Sequence, residues 1–393
     1  MTRTGNYRRR ILLGVLSTGA ANVWSMFVVL VSLPLVLSGL GTEAFGTWVL
    51  LQTFSAVTGW FALADIGVGV ATTRRVAEHL SAEDAPGATS VIDTALAIFL
   101  GLAVVAGLLL ALGGIAWFPT WFHTPPDLVD DLRTATGLFA AQIALEIVTE
   151  GMESCLEGLQ RIDLSRLADS ARFTLVAIAV VIAAMTSGTL TAVAAASLAA
   201  TAVGTVIATV VLVIHRPRGR PAPAGSHARS LLTYGPTVGV LNATGVGHRT
   251  MDRFVVGVIL GPAAVTLIEI ATQIQNGASA VLSATAYTAT SAAPWLRARS
   301  ALDQLRELLV RGTKYSMLLT MPFVVLALVL AGPLIDVWMG AKYADAVGLT
   351  RVAVLYIAMA APLAVGSNAL VGMGQARRVL GPAAIAALIN LVT

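Results

Sequence analysis

A chain of 393 residues with a net charge of +4 is 56% hydrophobic and 12% charged, with mean hydropathy +0.82 and pI near 9.6. Soluble domains carry about 25% charged residues, so this balance excludes a soluble globular protein and a disordered chain alike. The single cysteine, Cys155, excludes an internal disulfide, and the low aromatic content with no alternating pattern argues against an outer-membrane barrel.

Hydropathy predicts an all-α polytopic membrane protein. At roughly 20 residues per span, apolar runs cover residues 11–38, 45–71, 94–118, 134–156, 170–186 and 191–214. After a polar stretch they resume at 231–260, 264–286, 313–332 and 350–373. A last run starts near Val379 and stops at Thr393. Arg8, Arg9 and Arg10 precede the first run, but it is too long for a signal-peptide core and lacks a small-residue cleavage site.

Basic residues set the orientation. With the N-terminus inside, Arg3, Arg8–Arg10, Arg74, Arg75, Arg161, Arg166, Arg216, Arg218, Arg220, Arg229, Arg297, Arg299, Arg306, Arg311, Arg377 and Arg378 all fall on the cytoplasmic side. The outer segments hold Arg133, Lys342 and Arg351. The basic excess therefore reads as topology and attraction to an anionic leaflet of membrane lipids, not as a nucleic-acid surface. The expected location is a bacterial cytoplasmic membrane, crossed many times.

The stretch HRPRGRPAPAGSHARS, residues 215–230, has the Pro, Gly and Arg content of a flexible linker. It separates an N-terminal six-helix lobe, 1–214, from a C-terminal lobe, 231–393. An offset of 220 residues aligns the two. It pairs Gly19 with Gly239, Asn22 with Asn242, Leu40-Gly41 with Leu260-Gly261 and Ala44 with Ala264. Six spans precede the linker, so both lobes start inside and the repeat is parallel, as in alternating-access transporters with the path between lobes. The same offset carries a full second lobe to about residue 435, so the C-terminal lobe is expected to be incomplete, with eleven of twelve helices.

Ionisable residues at bilayer depth cost about 2.5–3.5 kcal/mol on insertion scales, so each is a candidate for function. The fourth span carries Gln142, Glu146, Glu150, Glu153 and Glu157 on one helical stripe. Glu146 and Glu150 either line a cavity with a proton or cation role or join a structural ion pair. For Glu153 the structural reading is preferred, and Glu157 is expected at the water boundary. Asp65, near the inner end of the second span, is read as pairing with Arg74 or Arg75 in preference to lining a cavity. The seventh span carries His248, Arg249, Asp252 and Arg253, with Asn242 on the arginine face. Arg253 either bridges to Glu269 on the next span or joins Arg249 in holding an anion, for which a guanidinium fork suits phosphate. The eighth span places Glu269, Gln273, Asn276, Ser283 and Tyr287 on one stripe.

No GxxxxGK[ST] stretch, HExxH or cysteine cluster occurs, so no ATPase domain, metal or cofactor is expected. The outer loops, about 119–133 and 333–349, are short for a membrane-embedded polysaccharide polymerase or ligase, which stays a distant alternative, and no catalytic residue is assigned.

The stretch LPLVLSGLGTEAFGTWVLLQTFSAVTGWFALADIGVGVATTRRVAE resembles the first-hairpin signature of the polysaccharide exporters. MDRFVVGVILGPAAVTLIEIATQ resembles its counterpart, and EGLQR and GMGQARR fit the same family. These are the Wzx-type flippases of the multidrug/oligosaccharidyl-lipid/polysaccharide (MOP) exporter superfamily. The resemblance implies a MATE-like fold of two pseudo-symmetric helix bundles around a central cavity. It implies flipping of an undecaprenyl-diphosphate-linked oligosaccharide for O-antigen, capsule or exopolysaccharide synthesis, with H+ or Na+ as coupling ion. On that reading Arg249, Arg253, His248, Asn242, Asn22, Gln273 and Asn276 line the substrate cavity. Glu146, Glu150 and Asp65 couple or gate. A cation-coupled multidrug exporter of the same superfamily is the alternative, favoured by the glutamate stripe.

Overall fold

A computed structural model defines the fold and describes residues 3–65, 67–217, 225–286 and 288–373, with Gln375 and Arg378. All regular structure among the described residues is helical. The chain runs α1 (Arg3–Leu40), α2 (Thr42–Gln52), a 3-10 turn (Trp60–Ala64), α3 (Val68–Ser81), α4 (Ala85–Trp121), α5 (Val129–Gly158), α6 (Ile162–Ser187) and α7 (Leu190–His215). It continues with α8 (Gly225–Leu260), α9 (Pro262–Ala286), α10 (Thr288–Ala298), α11 (Leu302–Met339) and α12 (Ala346–Gly372). Six of these, α1, α4, α6, α7, α11 and α12, are long and apolar enough to cross a membrane. Their outward faces expose leucines, valines and isoleucines such as Leu108, Leu112, Ile182, Val206, Leu326 and Val329. Such stripes are compatible with lipid and not with water. The protein is a multi-pass membrane protein. The run beginning at Val379 lies outside the described residues.

One predicted span is not a continuous helix: the second is broken between Gln52 and Val68. Tyr287 of the eighth lies outside the described residues. The 220-residue register is kept at the helix starts: α2 and α9 begin at Thr42 and Pro262. The tight turns before them also match, because Gly41 and Gly261 both take φ +80, a left-handed conformation that glycine adopts without cost.

By internal contacts the chain forms two compact units, Met1–Ala263 and Ala264–Thr393. The division falls after α8, a helix that hydropathy alone groups with the second lobe. Within the first unit α8 packs on α3 and α4. Its Phe254 ring stands edge-on to Phe54, Trp121 and Phe122, with centroids 5.9–6.4 Å apart. The core of this unit joins α4 to α5 and α5 to α7, with α1 laid against α6. Phe99, Phe139, Ile143 and Leu190 are fully enclosed there. Asp131 fixes the start of α7 by accepting the backbone N–H groups of Leu190 and Thr191 at 2.7 and 2.9 Å. A carboxylate at a helix N-terminus meets both the unpaired donors and the positive end of the dipole.

The second unit is built on α9, α11 and α12, with Ala278, Leu282, Val324, Val354, Ile357 and Ala361 in one cluster. Ala289 and Ala293 of α10 join Val365 and Ala369 of α12 in another.

Candidate functional site

The acid stripe of the fourth span opens into a cavity of about 290 Å³ inside the first unit. Three elements build it: the break in the second pass with α3, the C-terminal half of α5, and α6. Its walls carry Asp65, Glu146, Glu150, Glu153, Glu157 and Asp169, against the guanidinium groups of Arg166 and Arg172.

Glu146 is 5% exposed and fully engaged. One oxygen accepts the Ala56 backbone N–H at 3.1 Å and the Ser55 hydroxyl at 3.2 Å. The other accepts the Gln142 amide at 2.9 Å. In the unwound backbone here Ser55 keeps turn bonds to Gln52 and Gly59, whereas the Ala56 N–H turns to Glu146. Irregular backbone at membrane depth is tolerated where protein or a cavity satisfies it, and both conditions hold here. The expectation of a continuous second span therefore fails, and Glu146 of α5 takes up the Ala56 N–H in the break.

Asp65 accepts the Gly69 backbone N–H at 2.8 Å at the head of α3. It is not the partner of Arg74 or Arg75. Both of those bind Glu78 instead, at 2.7 and 3.2 Å, so the pairing preferred from the sequence is corrected and Asp65 faces the cavity. Glu157 is not simply solvated: it pairs with Arg166. Arg172 is 8% exposed and pairs with Asp169 at 2.6 Å. Glu150 lines the cavity, as does Glu153, whose Oε1 is enclosed without a hydrogen-bond partner among the described residues.

Six carboxylates thus face two guanidinium groups around one cavity, where the side chains of Glu157, Arg166 and Asp169 are 28–34% exposed and Glu146 is buried. Where burial limits screening by water, such an excess favours protons or cations as counter-charge. Among the described residues no three His, Cys, Asp or Glu side chains converge as a metal site.

Asp65, Glu146 and Glu150 are brought together as one group. Glu153, read from the sequence as structural, joins them with Arg166, Asp169 and Arg172, which sequence reasoning did not place in the site. The fifth apolar run starts only at residue 170, whereas α6 starts at Ile162 and carries its polar first turns into the protein. The signal was present: Arg166, Asp169 and Arg172 recur every three residues, on one side of a helix.

The remaining candidates lie elsewhere. Asn22 is exposed on α1. Arg253 is half-buried on α8, one turn after Arg249 in sequence. The side chains of Asn242, His248 and Arg249 lie outside the described residues. In the second unit the stripe on α9 is chained: Gln273 donates to Glu269 at 2.5 Å, and Asn276 donates to Gln273 at 3.4 Å. Glu269 is 6% exposed.

A polytopic helical membrane protein with an interrupted second pass and an acid-lined cavity is the class that fold and site define. The fold is that of the MATE transporters. One similar structure is the inward-facing form of a multidrug resistance MATE family transporter of the MOP superfamily. It is 15% identical, with TM-score 0.76 over 94% of this chain and 88% of that one. An outward-facing form is 18% identical, with TM-score 0.67 over 96% and 85%. A MOP superfamily transporter from Pyrococcus furiosus is 16% identical, with TM-score 0.62 over 94% and 84%. No curated protein matches the chain in sequence. A family model for a polysaccharide biosynthesis protein matches residues 87–348, and the chain belongs to that family.

Proposed function

We propose that the protein is an exporter that flips a polyprenyl-diphosphate-linked oligosaccharide across the bacterial cytoplasmic membrane by alternating access, with its N-terminus in the cytoplasm. The reading is carried by one conjunction: a chain of a polysaccharide biosynthesis family has the MATE fold. Polysaccharide assembly needs lipid-linked units moved across a bilayer, and a fold of paired bundles serves that step with no covalent chemistry.

The acidic cavity supports coupling to a cation gradient. Asp65, Glu146 and Glu150 are its coupling groups, and H+ or Na+ is the driving ion. Arg249 and Arg253, four residues apart on α8, are assigned to the diphosphate, whose oxygens suit guanidinium forks. His248, Asn242, Asn22, Gln273 and Asn276 are assigned to the saccharide end. The same acidic cavity favours one rival, a cation-coupled drug exporter, because cationic drugs also seek buried carboxylates.

Proteoliposomes holding a fluorescent undecaprenyl-diphosphate saccharide decide between the two. Expected is gradient-dependent loss of inner-leaflet label, slowed at least tenfold by Arg249→Ala. A null strain should lose surface polysaccharide. Normal polysaccharide with drug hypersensitivity in that strain would sink the flippase and install the drug exporter.

A further inference from the structure

The residues that end α7 and those that start α8 each contact the α3–α4 hairpin, by two devices of different chemistry. On the upstream side Arg216 pairs with Asp93 of α4 at 2.6 Å, and the Thr89 hydroxyl donates to the Pro217 carbonyl at 3.2 Å. On the downstream side His227, in the first turn of α8, meets His79 at the end of α3. The rings stand edge to face at 86°, with centroids 5.5 Å apart. His79 is held in turn by Asp84, whose carboxylate lies 2.8 Å from Nδ1. Asp84 also caps α4 by accepting the Gly87 N–H at 2.9 Å.

An arginine stays charged across the physiological range, so the upstream anchor does not respond to pH there. Two imidazoles in contact do respond, because histidine gains its charge between about pH 5 and 8. Neutral rings, or one charged ring against Asp84, attract. Two charged rings in contact repel.

We propose that the His79–His227 contact is a proton-sensitive latch that holds the start of α8 on the α3–α4 turn and releases it on acidification, while the Arg216–Asp93 anchor stays closed. The charged groups around the latch are Arg75 and Glu78 on α3 and Asp84 at the head of α4. Glu78 is taken up by Arg74 and Arg75, so it offers His227 no free negative charge. Burial, then His79, then Arg75 hold His227 below the usual histidine range, and Asp84 opposes them. A group with a depressed value favours its neutral form in the closed state. The latch is therefore intact above about pH 6.5 and is lost as pH falls through the lowered value.

The full-length protein in lipid nanodiscs tests this. In a Cys155→Ala background, Ala82→Cys and Arg229→Cys place spin labels on exposed sites either side of the contact. Expected is one short distance at about pH 7.5 and a majority longer population at about pH 5. His227→Phe keeps an apolar ring that cannot gain charge, and should stay short at both values. His227→Lys should be long at both. A wild-type distance that does not change between the two values would overturn the latch. So would a His227→Phe protein that opens like wild type on acidification or is already open at neutral pH. Should His227→Phe fail to fold, judged by size-exclusion and thermal melting, His79→Phe poses the same question from the other ring. None of these readings depends on what the protein exports.

Discussion

The carboxylate of Glu146 accepts the backbone N–H of Ala56 at 3.1 Å, joining the middle of α5 to the unwound part of the second pass. The same side chain holds Ser55 and Gln142, so three donors depend on one residue. Leaving a buried donor unmet costs about 1–3 kcal/mol. Glu146→Ala is expected to lower the melting temperature more than Glu146→Gln, since the amide keeps one acceptor oxygen. Amide hydrogen exchange at 55–57 should rise in the same order. Equal melting temperatures for wild type and Glu146→Ala would show that the break holds without this side chain.

Arg172 owes its place on the cavity wall to Gly204 on α7. A Cβ at 204 would fall 2.5 Å from the Arg172 Cγ, a stem atom that backbone and neighbours hold in place. Overpacking of this kind costs about 1–3 kcal/mol. Gly204→Ala should destabilise the wild-type chain and cost much less in an Arg172→Ala background. A double-mutant cycle of thermal stabilities measures that coupling. Additive effects would mean that Arg172 sidesteps the methyl and is not fixed by it.

Asp84 gives a pH dependence with a definite sign. The Gly87 N–H, then His79, hold its carboxyl below the usual aspartate range. Its contribution is present above about pH 3.9 and is lost as pH falls through the lowered value. Asp84→Asn keeps an oxygen for the Gly87 N–H and removes the charge. The hydrogen-exchange protection at 85–90, taken relative to the unstructured rate at each pH, should then become independent of pH on the acid side. In Asp84→Ala the same residues should exchange faster at every pH. A wild-type profile that matches Asp84→Asn would remove the charge from the account.

The spans were legible because lipid demands long apolar runs, and each of the six helices long and apolar enough to cross a membrane overlaps a run that hydropathy places. The repeat was legible in Gly41 and Gly261, because one backbone conformation asks for one residue. The break in the second pass was not. Its residues are as apolar as their neighbours, and its cause lies 90 positions away in Glu146. Asp65 was misassigned for a related reason. Proximity in sequence suggested Arg74 and Arg75, but a helix face pointed those toward Glu78. The polar first turns of α6 lead into its apolar run, and with them went both cavity arginines.

Glu150 tests whether the cavity couples transport to an ion. It lines the space with no arginine bound to it among the described residues, whereas Glu157 and Asp169 have Arg166 and Arg172. Charge entering the cavity should therefore settle on Glu150 and its neighbours more readily than on the paired acids. Glu150→Gln has the same size and cannot take up a proton or pair with a metal cation. In proteoliposomes it is expected to leave exchange of labelled lipid between leaflets intact while abolishing its acceleration by an imposed H+ or Na+ gradient. Asp169→Asn should instead act through Arg172, lowering thermal stability by about 1–3 kcal/mol, below the full cost of breaking a buried pair because Asp169 is 32% exposed. Applying the two gradients separately identifies the ion. A Glu150→Gln protein that still responds to either gradient with wild-type acceleration would move the coupling site out of this cavity.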